Sequence, residues 1–272
     1  MVINLIYKGG MDIMVRKVID RTGEERVNKF GSKMIIKEYR KYSDIDIYFP
    51  EYDWTFEHAQ YSQFKNGSIK CPYERRYYGK GYLGEGKYKV WENGKLKEEY
   101  VIWHGMLQRC YDPKYQERNP TYKGCKVEEY LLNFQHMGEW IENNYYEVDG
   151  EQMCLDKDIL CKRNKVYSRD TCIFVPKRIN LLFTKCDKSR GKNPIGVTEL
   201  PNGNYQAFCN NGYGKYICLG TYKAKKEAFQ VYKQYKEKLI KKVIDSYEGV
   251  IPEPFYSRLR EAMYSYKVEI DD

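Results

Sequence analysis

Four side chains at alternate positions, Asn204, Gln206, Phe208 and Asn210, form the most chemically legible pattern in this chain. In an extended strand that spacing puts all four on one face. A carboxamide carries both a donor and an acceptor, so Asn and Gln can bond the N6 and N7 of adenine together, and a phenyl ring can touch the methyl of thymine. Thr198 and Tyr216 extend the same face if the neighbouring strands lie alongside. Lys215, Lys223, Lys225 and Lys226 flank it with charges suited to phosphates, which position a duplex without reading it. The in-between residues Tyr205, Ala207 and Cys209, with Ile217 and Leu219 on the next strand, should pack on a helix. The plain alternative is a small sheet whose polar face meets only water.

Other reactive residues are sparse. Three histidines limit acid–base and metal chemistry, and His136 sits beside the apolar stripe of its segment, a structural position. The nine cysteines, Cys71, Cys110, Cys125, Cys154, Cys161, Cys172, Cys186, Cys209 and Cys218, contain no CxxC pair. That pattern suggests neither a zinc ribbon nor a disulfide framework, and it fits small buried hydrophobes in a reducing compartment. The glycines from Gly79 to Gly86 make a poor phosphate loop, because no helix opening with Lys-Ser or Lys-Thr follows. They read as turns leading into a linker. No apolar run approaches the ~18 residues a membrane span needs, and Met1–Tyr7 is too short for a secretory leader.

Charge points toward an acidic partner. The net formal charge is +9, and between Lys177 and Asp245 15 Lys and Arg face 5 Asp and Glu. Such asymmetry suits nucleic acid, although a solvated basic helix also accounts for it.

The elements that must position these residues fall into three zones, together an α+β chain of several modules. Residues 13–86 alternate with period two, most clearly at Ile45, Ile47 and Phe49, between turn signals such as Gly31-Ser32 and Asn66-Gly67. This predicts a β-rich module, a small barrel or a strongly bent sheet. Residues 89–182 change period. Tyr100, Trp103, Met106, Leu107 and Cys110 predict one amphipathic helix, and Val127, Tyr130, Leu131, Phe134, Met137, Trp140 and Ile141 a second. A strand-turn-strand-helix arrangement follows from Cys154 onward. After a basic linker, Lys185–Asn193, residues 193–266 offer three strands, Ile195–Glu199, Asn204–Cys209 and Lys215–Leu219. Asn202-Gly203 and Asn211-Gly212 supply the hairpin turns. A long helix from Ala224 to Ile244 turns Ala228, Tyr232, Tyr235 and Leu239 toward the sheet, and a short helix is predicted near Pro254–Met263.

Two of these zones resemble known families. Gly196-Val197, Tyr205 with Ala207, Leu219-Gly220-Thr221-Tyr222, and Glu227-Ala228 with Tyr232 are similar, in order and spacing, to AP2-type DNA-binding modules. The resemblance implies a three-stranded sheet, backed by one helix, that enters the major groove. Plant-type modules present several arginines on that face and this one presents none, so the grip on phosphate falls to the flanking lysines. In the central zone, Trp103 to Tyr111 and Thr121 to Val127 resemble phage proteins related to HNH endonucleases. There, a Leu-Asp-Lys or Leu-Asp-Arg segment and a Tyr-Ser-x-x-Asn-Cys segment build a ββα metal core. Leu155-Asp156-Lys157 and Tyr167-Ser168-Arg169-Asp170-Thr171-Cys172 match them, with Asn180 on the closing helix. The resemblance implies Asp156 and Asn180 as ligands of one Mg²⁺, and Asp156 and Lys157 as the catalytic candidates. Lys157 stands where an HNH nuclease that cuts needs its general-base His, and an ordinary lysine is protonated at pH 7. Thr171 replaces the asparagine that orients that His. The first zone resembles β-rich modules that precede such cores.

The expectation is therefore a phage or prophage protein that binds double-stranded DNA in the bacterial cytoplasm, with an inactive nuclease-like core and no membrane partner. One alternative is an active Mg²⁺-dependent HNH-type endonuclease. Another is a phage protein that binds a host defence or regulatory protein, a role for which 29 tyrosines are well suited.

Overall fold

Alternation along Asp44–Phe49 is realised in the computed structural model: Ile45, Ile47 and Phe49 are fully buried, with half-buried residues between them. The structure describes residues 19–184 and 192–270. Its content of 33% helix and 24% strand, in several small sheets, is α+β. Met1–Tyr7 and residues 185–191 of the expected linker, Cys186 among them, lie outside the described residues. Two compact units divide between Arg76 and Tyr77.

The first unit is an antiparallel meander of β1 (Glu25–Val27), β2 (Lys33–Lys41), β3 (Asp44–Phe49) and β4 (Trp54–Ala59). Register shifts along β2–β3 and β3–β4 mark bulges, which bend a strand and sharpen its twist. A short helix, α1 (Tyr61–Lys65), adds Phe64 to the core of Met34, Ile36, Ile45, Ile47 and Phe49. Asn28 ties the unit's ends together: its Oδ1 accepts the Phe30 and Ser32 N–H groups, and its Nδ2 donates to Ile69 and Glu74.

The second unit begins with the glycine-rich stretch, which is not a linker. It is a strap laid on the helices. After a small hairpin of β5 (Trp91–Glu92) and β6 (Lys95–Leu96), helix α2 (Glu98–Tyr111) buries Trp103, Met106, Leu107 and Cys110, the stripe its periodicity predicted. Asp112 then caps α3 (Pro113–Arg118) by accepting the Lys114 N–H. The second predicted helix is broken. Val127 belongs to β7 (Lys126–Val127), Tyr130 and Leu131 to α4 (Glu129–Leu132), and the rest to α5 (Phe134–Asn144). Asn133 makes the break: its backbone is extended at ψ 122° and its side chain caps the Gln135 N–H. Tyr82 of the strap occupies the gap, donating its N–H to Leu132 O and accepting the Phe134 N–H. Gly84 permits this approach, since a Cβ there would lie 2.4 Å from Asn133 Oδ1, and its φ of +66° suits glycine.

Next comes an antiparallel pair, β8 (Met153–Asp156) with β10 (Ile173–Pro176), and α6 (Lys177–Leu182) packs against it through Ile179 and Leu182. Between them β9 (Val166–Tyr167) runs parallel to β7. The last sheet has the order β11 (Val197–Glu199), β12 (Tyr205–Asn210), β13 (Tyr216–Tyr222), all antiparallel. Helix α7 (Lys225–Asp245) backs it, and α8 (Phe255–Ser265) follows.

Helix α7 belongs to two cores. Ala228, Phe229 and Tyr232 pack on the sheet with Val197, Ala207 and Cys209. Ile240, Val243 and Ile244 enter the large core built around Trp103, Phe134, Phe174 and Leu259. Each fully buried large apolar side chain contributes roughly 1.5–3 kcal/mol. The expected central and C-terminal modules therefore form one unit joined by a helix. Among the described residues, no helix is long and apolar enough to cross a membrane.

Candidate nucleic-acid interface

The outer face of the last sheet is set by its register. Thr198, Gln206 and Thr221 form one row across the three strands. Phe208 with Cys218, and Asn210 with Tyr216, form two more on β12 and β13. The structure thus brings Thr198, Gln206, Phe208, Asn210 and Tyr216 together as their alternation requires. It adds Thr221 and Cys218, which a β13 ending at Leu219 and read without register did not reveal. Phe208 and Tyr216 meet edge to face at 5.8 Å. Asn204 lies apart, in the turn before β12, where its carbonyl accepts the Leu200 N–H.

The amides are not equivalent. Asn210 Oδ1 accepts the Gly212 N–H at 2.8 Å, so its oxygen already serves its own turn. The Gln206 side chain has no hydrogen-bond partner among the described residues, and it sits on the central strand between two threonines. It is the side chain best placed to offer a base both a donor and an acceptor.

Ile217 corrects the expected inner face. It pairs with Cys209 yet stays 38% exposed. Leu219, the extra residue at the shift between Ala207 and Phe208, is half-buried against the sheet–helix core, whereas Ile217, nearer the open end of the edge strand β13, is not part of that core. Lys215, Lys223 and Lys226 are exposed. Lys215 and Lys223 bracket β13 at its two ends, about 25 Å apart along an extended strand. Lys225 is half-buried, with its ammonium 5.5 Å from the centre of the Tyr205 ring, a cation–π contact.

The second group of expected site residues surrounds the end of β8. Asp156 Oδ1 accepts the N–H groups of Asp158 and Ile159 at 2.8 and 2.7 Å, which closes the turn after the strand. Burial, and then the neighbouring Asp158, push its carboxyl up to about 6. Lys157 is buried and ion-paired with Asp158 at 2.8 Å. Burial is the largest influence and opposes its charge, but the bond to Asp158 together with the negative charges of Asp158 and Asp156 lifts the ammonium above its usual range. A group held protonated in this way is no general base. Asn180 lies midway along α6, and no hydrogen bond joins it to Asp156 among the described residues. With one Asp156 oxygen committed to the turn, these residues make a poor Mg²⁺ site. Thr171 is likewise structural, bonded to Ser168 Oγ and to Val166 O.

The histidines lie elsewhere. His136 stacks on Tyr130 at 4.2 Å and bonds its carbonyl, while His104 sits among Tyr77, Tyr78 and Tyr100. His58 joins Asp44 and Asp46 in the one group among the described residues whose ligand atoms lie within 4.8 Å of one another. The Arg40 guanidinium already sits there, 2.8 Å from Asp44, and holds both carboxyls below the usual range. Two cationic features escaped the sequence reading because they join distant segments. Arg109 and Lys157 flank the Tyr167 ring at 5.4 and 5.9 Å, and Arg169 stacks on Tyr130 at 4.3 Å while gripping Glu128.

No family model matches this chain, and no curated protein or solved structure matches it.

Proposed function

We propose that the chain binds double-stranded DNA through the outer face of its last sheet, as a phage or prophage protein of the HNH/AP2 group acting in the bacterial cytoplasm. One observation carries this reading. An unpartnered carboxamide, Gln206, stands at the centre of an exposed strand face, with Thr198 and Thr221 beside it and exposed lysines at both ends of β13. A face of this kind suits groove contact, with base edges met by amide, hydroxyl and aromatic groups and phosphates by lysines. The ββα segment with Asp156 and Lys157 then serves as a binding scaffold. Its lysine is held protonated by Asp158, which favours binding over cutting.

The test is a gel-shift series with a duplex selected from a random pool. Three phosphate contacts, from Lys215, Lys223 and Lys226, give a log–log salt slope of about −2.7. Gln206→Ala weakens the selected duplex by roughly 1–3 kcal/mol and leaves random DNA unaffected. A slope near zero overturns the reading and leaves a host protein as the partner. Nicking of supercoiled plasmid in Mg²⁺, abolished by Asp156→Ala, overturns the inactive core.

A further inference from the structure

Lys236 has no place in the DNA reading. It lies midway along α7 and is only 8% exposed. Among the described residues its ammonium has neither an ion-pair nor a hydrogen-bond partner. Nearby acids are engaged elsewhere: Glu237 accepts the Val268 N–H and pairs with Lys233. Burial of the side chain pulls this amine below its ordinary range, opposed by the Cys209 thiol.

The same residue lines a cavity of about 420 Å³. Leu181 and Leu182 of α6, Ile195, Val197 and Tyr232 supply apolar wall, and the sheet adds Phe208. Among the described residues, no Asp or Glu lines it. At ~30 Å³ per water the space exceeds what one or two bridging waters fill, and it lies within the range of organic-ligand sites. Among the described residues, apolar walls with one cation define the complement of the occupant.

We propose that this cavity binds a small organic anion, a carboxylate or phosphate carried on an apolar body, with Lys236 meeting the anionic group. The anion supplies the counter-charge that none of the described residues gives Lys236, and the walls cover the remainder. Thr198, Phe208, Asn210 and Tyr216 also reach this cavity, so it adjoins the outer face of the sheet. The proposal does not rest on DNA binding, and its test uses none.

The full-length protein is titrated with two fluorescent probes of similar apolar body. One is the anion 8-anilinonaphthalene-1-sulfonate and the other the uncharged N-phenyl-1-naphthylamine. Both are expected to bind saturably at one site per chain. Lys236→Met, matched in length, weakens the anionic probe roughly tenfold or more, the loss of one charge-assisted contact, and leaves the neutral probe unchanged. Lys236→Arg restores the anionic probe. Leu181→Ala, at an exposed wall position, weakens both probes. Circular dichroism checks that each variant is folded. Equal affinity of wild type and Lys236→Met for the anionic probe overturns the proposal. If Lys236→Met does not fold, unchanged binding of both probes to Leu181→Ala overturns it instead, as does the absence of saturable binding to the wild type.

Discussion

Asp156 shows how one carboxyl can do structural work at a cost. Its Oδ1 closes a turn by accepting two backbone N–H groups, while burial and Asp158 push its pKa up to about 6, above the ordinary carboxylate range. Raised in the folded state, the group contributes its stability fully below about pH 4 and loses it as pH climbs toward 6. Asp156→Asn keeps the accepting oxygen and removes the charge. At pH 8 the variant should be more stable than wild type in urea unfolding by up to about 2 kcal/mol, and this advantage should vanish near pH 4. Sequence identified Asp156 and Lys157 as a notable pair, with Asp158 beside the lysine as its salt-bridge partner, but the burial that raises Asp156 depends on the folded core and was not legible. The outer sheet face was more legible, since strict alternation fixes sidedness. Ile217 has the expected side, opposite Cys209, but a period cannot show that this part of the edge strand runs beyond the cover of the helix. Cys218 is exposed opposite Phe208, and Cys161 is exposed elsewhere. If the sheet meets DNA, duplex should slow maleimide labelling of Cys218, read by peptide mass mapping, and leave Cys161 unaffected. Equal rates at both thiols count against that face.

At the scale of elements, the junction of α4 and α5 depends on glycine. Gly84→Ala places a methyl against the Asn133 amide at a backbone φ of +66°. Strain at such a position, plus displacement of the Asn133 cap, should cost roughly 2–4 kcal/mol, measured as a lowered thermal midpoint. Gly23→Ala is the control, with positive φ but nothing within 4 Å. It should cost about 1 kcal/mol, the backbone term alone. This junction was not legible in sequence for a clear reason. The apolar stripe from Val127 to Ile141 keeps helical spacing straight through Asn133, and the segment that splits it comes from some 50 residues upstream. The last sheet and its helix were legible because their signals are local: Asn-Gly turns, short alternations, then a 3–4 spacing.

At the scale of the whole molecule, the unit from Tyr77 onward has two cores and one helix common to both. Ile240 is fully buried in the larger core. Ile240→Ala should cost about 2–5 kcal/mol, and its effect should not stay local. Hydrogen exchange should accelerate in β12 as well as in α2, because loosening the far half of α7 frees the half that seats the sheet. Faster exchange confined to α2 indicates two independently folding parts. The same helix limits how the sheet can be inherited. Excised at residue 193, it carries Ile240, Val243, Ile244 and Leu259 stripped of their partners, a greasy seam that invites aggregation. Residues 77–270 are thus the smallest cassette that recombination, or a protein engineer, can graft intact into another chain.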